Sequence, residues 1–200
     1  MLAIEKLSLK INYNFLIKDL SVSIFPGSIT YILGKNGAGK TTLLKQLAGL
    51  KKIEEGKIKL YDLELGEFEK PYCLFIGHKL GLELEMRVID HLEYWAESYN
   101  SPQMIPAAIE FWNLEDILEE QAGSLSAGNM KKLSLSKLTC CHAELWLLDE
   151  VETNLDELNL KCLHHSIMSK ANSGGIILIS SHMNNKIEKS QSINLWDFCD

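Results

Sequence analysis

In the stretch Tyr31-Ile32-Leu33-Gly34-Lys35-Asn36-Gly37-Ala38-Gly39-Lys40-Thr41-Thr42, an apolar run gives way to three glycines, two lysines and two threonines, with Asn36 and Ala38 between them. The spacing G-x-x-x-x-G-K-T from Gly34 to Thr41 is that of a phosphate-binding loop. Its chemistry follows from the residue types. Glycines let the backbone curl until successive N–H groups converge on phosphate oxygens, and a helix opening behind the loop adds its positive dipole end. Lys40 would reach the β/γ-phosphates of a nucleotide, and the Thr41 hydroxyl would ligate Mg²⁺. Gly34, Lys35, Asn36, Gly37, Ala38, Gly39, Lys40, Thr41 and Thr42 are therefore the candidate nucleotide-binding residues. An apolar strand before the motif and helical spacing after it supply the required context.

Outward from this loop the chain alternates between two periodicities. Leu2–Ile11 and Leu20–Phe25 read as strands, Pro26-Gly27 as a turn, and Ile29–Leu33 as a third strand. Thr42–Leu50 has helical spacing, and Lys57–Tyr61 and Tyr72–Ile76 read as further strands. Helical patterns cover Val88–Tyr99 and Gln103–Leu118, broken by Pro102 and Pro106. The last third predicts helix Ala127–Cys141, strand Leu145–Leu148, helix Asp156–Lys170, strand Ile176–Ser180 and a short strand near Ile193–Phe198. Such alternation argues an α/β fold with a parallel-sheet core and an N-terminal antiparallel β part. The expected organisation is a single domain over residues 1–200, with a helical lobe inserted at about 88–125.

The second chemical signal is Leu145-Trp146-Leu147-Leu148-Asp149-Glu150, an apolar strand ending in two carboxylates. A buried parallel strand delivers its C-terminal end to the ligand crevice of an open α/β sheet. Asp149 is the candidate partner of Thr41 in holding Mg²⁺, and Glu150 the candidate base that orients a water at the γ-phosphate.

Composition narrows the function classes. A hydrophobic share of 46% with 24% charged residues fits a soluble globular chain, not a disordered or fibrous one. Lys and Arg number 20 against 27 Asp and Glu, a net charge of −7, which speaks against a broad basic face for nucleic acid. No run of about 18 apolar residues is present to span a bilayer. The start, MLAIEKLSLKI, alternates like a strand and does not read as a signal peptide. Five cysteines without a Cys-x-x-Cys pair favour reduced thiols over a disulfide framework or a zinc site. Cys140-Cys141-His142 and His164-His165 are weak metal candidates, because neighbours in sequence point different ways on a helix.

Leu125-Ser126-Ala127-Gly128-Asn129 stands just before the Ala127–Cys141 helix. Here the chain resembles the nucleotide-binding subunits of ABC transporters, whose signature is Leu-Ser-Gly-Gly-Gln. The resemblance spans the phosphate loop, the signature, the acidic strand, Leu155-Asp156 and Ser180-Ser181-His182. Gly77-His78, the alanine within the signature and Leu145-Trp146 make it similar to the family's small cytochrome c maturation branch. The resemblance implies an ATP- and Mg²⁺-dependent ATPase with His182 as the γ-phosphate switch. It also implies adenine stacking on Tyr13, or alternatively Phe15. Two copies would close head to tail, so that Ser126 and Gly128 of one meet the ATP held by the other. An integral membrane subunit would carry the cargo, haem in that branch, and the chain would sit peripherally on the cytoplasmic face of the inner membrane.

Departures from the family keep two alternatives open: a soluble ABC-type ATPase outside transport, and a regulatory cassette with weak turnover. Lys79 stands where the Q-loop glutamine belongs, and Val151 replaces the proline after the acidic pair. Glu152, Thr153 and Asn154 replace the usual small residues before Leu155-Asp156, and Lys131-Lys132 stand where arginines are common. A phosphate-loop kinase would share Gly34–Thr41 but has no use for Leu-Ser-Ala-Gly before a helix.

Overall fold

The computed structural model describes residues 1–11, 14–65, 67, 71–181 and 187–198. Strands β1 (Leu2–Ile11), β2 (Asn14–Ile24), β4 (Glu55–Leu60) and β5 (Leu63–Glu64) form an antiparallel sheet in the order β2-β1-β4-β5. A second sheet runs β6-β7-β8-β3-β9, from β3 (Ile29–Leu33), β6 (Cys73–Ile76), β7 (Leu145–Asp149), β8 (Ile176–Ser180) and β9 (Gln191–Asn194). All of its pairings are parallel. Five α-helices complete the described fold: α1 (Lys40–Leu47), α2 (Val88–Ser98), α3 (Ile105–Trp112), α4 (Ala127–Cys140) and α5 (Glu157–Asn172).

Strand alternation explains how the parallel sheet is covered on both sides. Leu145, Leu147, Ile176, Leu178 and Ile32 pack with Leu43, Leu44 and Leu47 of α1 and with Leu2, Ile4 and Leu20 of the antiparallel sheet. The alternate residues Trp146, Leu148, Ile177, Ile179 and Tyr31 pack with Leu92, Trp112, Leu135 and Leu163 from α2 to α5. The five residues of β7 and the five of β8 are all buried. Register then aligns the strand ends: Asp149 lies beside Ser180, and Ser180 beside Ile32, one residue before the end of β3. The chemistry-bearing loops leave from this carboxyl edge.

The elements differ from the sequence reading at several ends, each for a local reason. β2 begins at Asn14 rather than Leu20, because its pairing with β1 runs on through register shifts. The loop helix starts at Lys40 and stops at Leu47, with Gly49 at φ +68° just beyond. The pattern over Gln103–Leu118 is a single helix only across Ile105–Trp112, ended by Asn113 in the left-handed region at φ +50°. Pro106 does not break α3; it sits in the first turn, where no intrahelical N–H is needed. The strand placed near Ile193–Phe198 is β9, and Leu195–Phe198 is a 3₁₀ turn.

Candidate functional site

Between β3 and α1 the chain makes a tight cradle. The Ala38 N–H donates to the Lys35 carbonyl at 3.1 Å, and Gly39 precedes the helix at φ +95° without a side-chain cap. The first amides of α1 are thus left for an external acceptor. Gly37 takes φ +83°, and a Cβ built there would meet nothing within 4 Å, so the loop is open on that side. Lys40 is 5% exposed, and its Nζ donates to the carbonyls of Gly34 at 2.8 Å and Lys35 at 3.1 Å. Burial pulls its pKa down, against the opposing pull of Glu150 and Asp149. No carboxylate of the described residues reaches ion-pair distance of Lys40. A buried ammonium held by neutral carbonyls beside uncapped amides fits a phosphate group.

Opposite stands the acidic end of β7. Asp149 is buried, and its Oδ1 accepts from the Thr41 hydroxyl at 3.1 Å and the Ser180 hydroxyl at 2.6 Å. This oxygen-rich pair, Thr41 Oγ1 and the Asp149 carboxylate, fits a hard divalent cation such as Mg²⁺. The backbone of Glu150 turns sharply at φ +54°, its N–H shared between the carbonyl and the hydroxyl of Ser180, each at 3.1 Å. Its carboxylate lies 3.7 Å from His78 Nδ1. A cleft of about 420 Å³ opens here, bordered by Thr41, Gly77, His78, Lys79, Lys137 and Asp149.

The structure thus brings together Gly34–Thr42, Asp149 and Glu150. Ser126 and Gly128 are exposed at the start of α4 and do not line this cleft. The Ser126 hydroxyl caps α4 by accepting from the Asn129 N–H at 3.2 Å. Tyr13 and His182 lie outside the described residues. Phe15, the alternative for adenine, has Lys10 Nζ at 4.3 Å and Lys18 Nζ at 5.6 Å from its ring centre. Lys79 is exposed on the cleft rim, while His78 is the residue set against Glu150. Sequence reasoning missed Ser180 as the link between Asp149 and Glu150; its one signal was a polar residue closing an apolar strand.

A phosphate-binding loop and an acidic strand end meeting at the carboxyl edge of a parallel sheet define a nucleotide-binding ATPase cassette. Residues 17–153 match the family described as ABC transporter. The cytochrome c biogenesis ATP-binding export protein CcmA of Rickettsia bellii is 45% identical over 98% of this chain and all of its own length. An ABC transporter ATP-binding protein of Pyrococcus furiosus superposes with a TM-score of 0.85 at 25% identity, covering all of this chain and 99% of that one. A dimeric, post-hydrolysis ATP-binding cassette bound to ADP and Pi shares the fold, with a TM-score of 0.84 at 16% identity over 98% of this chain and 94% of its own. The chain belongs to the ABC transporter family and, within it, to the CcmA group of cytochrome c biogenesis ATP-binding proteins.

Proposed function

We propose that this chain is the ATP-hydrolysing subunit of an exporter serving cytochrome c biogenesis, energising the handover or export of haem. The observation that carries the chemistry is Asp149 Oδ1, shared by Thr41 and Ser180, with the buried Lys40 close enough to feel its charge. Lys40 and the amides of Gly34–Thr42 bind the phosphates, Thr41 and Asp149 hold Mg²⁺, and Glu150 orients and deprotonates the attacking water. When bound there, Mg²⁺ would supply positive charge against the charge that develops on the phosphates. Tyr13 stacks on adenine and His182 senses the γ-phosphate.

Ser126 and Gly128 stand away from the cleft of their own chain, which supports a role toward ATP held by a second copy. The N-terminus of α4 then adds a positive dipole end at that phosphate. The whole chain forms one cassette, and its block of about 88–125 is the lobe that docks an integral membrane subunit at the cytoplasmic face. No described helix is long and apolar enough to cross a membrane.

The test is Glu150→Gln, which keeps size and hydrogen bonding but removes the base. ATP hydrolysis should fall about 10²–10⁴-fold while ATP binding persists. Turnover within a few-fold of the parent would remove Glu150 from this role.

A further inference from the structure

We propose that Glu152 is a positioning residue for ATP hydrolysis, acting through Glu150; the inference rests on the reading of Glu150 as the base. Glu152 follows β7 by three residues and is 4% exposed, an unusual place for a carboxylate. It is fully engaged. Its Oε1 accepts from the Tyr31 hydroxyl at 3.1 Å and from His164 Nε2 at 3.0 Å, and its Oε2 accepts from the Ser181 hydroxyl at 2.7 Å. Those donors come from β3, from α5 and from the residue just past β8. The Tyr31 oxygen in turn accepts from the Ile187 N–H at 3.4 Å, which ties in the chain beyond β8.

Ser180 and Ser181 are consecutive, and extended chain points consecutive side chains to opposite faces. Accordingly Ser180 holds Asp149 on the nucleotide side, while Ser181 holds Glu152 on the side of Tyr31 and α5. The four-residue turn Asp149–Glu152 is therefore clamped at both ends by one serine pair. Between the clamps sits Glu150, a residue with a Cβ held at φ +54°. Such a conformation is unfavourable and persists only where the surroundings over-determine it. The Glu152 network supplies that determination and so sets where the Glu150 carboxylate stands. Glu152 itself does not line the cleft.

The test measures kcat and KM for ATP with the full chain. Glu152→Ala should lower kcat about 10- to 100-fold, with KM within about two-fold of the parent, the loss expected when a catalytic group is misplaced. Glu152→Gln, which retains an acceptor oxygen, should recover part of it. In a Glu150→Gln background, Glu152→Ala should add no further loss, because a positioning residue has nothing left to position. Should Glu152→Ala fail to fold, Tyr31→Phe and Ser181→Ala each remove one donor and should reduce kcat without raising KM. Parent-like kcat in the folded variants, or losses that multiply with Glu150→Gln, would overturn the proposal. A Glu150→Gln variant that keeps full turnover would instead overturn the reading of Glu150, so the two failures are distinguishable.

Discussion

Lys79 and His78 share the rim of the nucleotide cleft, yet only His78 stands against Glu150, at 3.7 Å. A lysine has three donors and no acceptor, so in the Q-loop place it cannot present an oxygen toward a cation or an attacking water. Lys79→Gln should therefore raise kcat several-fold and leave ATP affinity within about two-fold. Steady-state ATPase assays with a binding titration check this, and unchanged or lower turnover would show that Lys79 does not restrain the reaction. Glu152 yields a second expectation. Burial pushes its pKa up, but hydrogen bonds from His164, Ser181 and Tyr31, with the charge of His164, bring it below the ordinary 4.5. A depressed carboxylate stabilises the fold fully above its unfolded value and loses that contribution as pH falls through the folded one. Glu152→Gln should melt below the parent at neutral pH, and the gap should narrow on acidification below 4.5. A gap that stays constant in thermal melts across that range would deny the carboxylate this role.

Helix α5 begins where its sequence says it should. Asp156 accepts from the Asn159 N–H at 2.7 Å and from the Asn159 side chain at 2.8 Å, closing the first turn. Asp156→Ala should cost about 0.5–2 kcal/mol in urea unfolding, the usual loss of an N-cap. Helix α3 depends on a longer connection. The Trp112 indole is buried, and its Nε1–H donates to Thr139 Oγ1 of α4 at 3.0 Å. Trp112→Ala should cost about 3–5 kcal/mol, and Trp112→Phe less, since the ring volume is largely kept. These cases show what is legible locally. The helix expected from Asp156 begins at Glu157, so the start of α5 was legible to within a residue. The extent of α3 was not, because Asn113 ends it through a backbone angle that helical spacing does not encode.

At the scale of the whole molecule, the separation of Ser126 and Gly128 from their own cleft makes pairing the central expectation. Glu150→Gln with ATP and Mg²⁺ should elute as a dimer in size-exclusion chromatography and return to monomer when Mg²⁺ is chelated. A variant that binds ATP yet stays monomeric would argue against a nucleotide sandwich. The chain should sediment with membranes only when its cognate membrane subunit is co-expressed. Recovery in the supernatant despite that subunit would favour an ATPase outside transport.

Contiguous residues determined the nucleotide chemistry of this protein by themselves. The loop Gly34–Thr42 needs no distant partner to curl, and the full burial of β7 and β8 follows from their apolar runs. That is why the fold class and the acidic strand end could be read directly. Contacts across the chain were decided only by tertiary structure. Thr41 and Asp149 are 108 residues apart, and Tyr31 and Glu152 are 121 apart. In sequence, Glu152 is merely a departure from a family pattern, and Ser180 and Ser181 are two similar hydroxyls. Strand register gives them different tasks: β8 lies between β7 and β3, so one serine faces the nucleotide edge and its neighbour faces the buried network. The cause is geometric, since pairing fixes which side of the sheet each residue meets and no local propensity carries that choice.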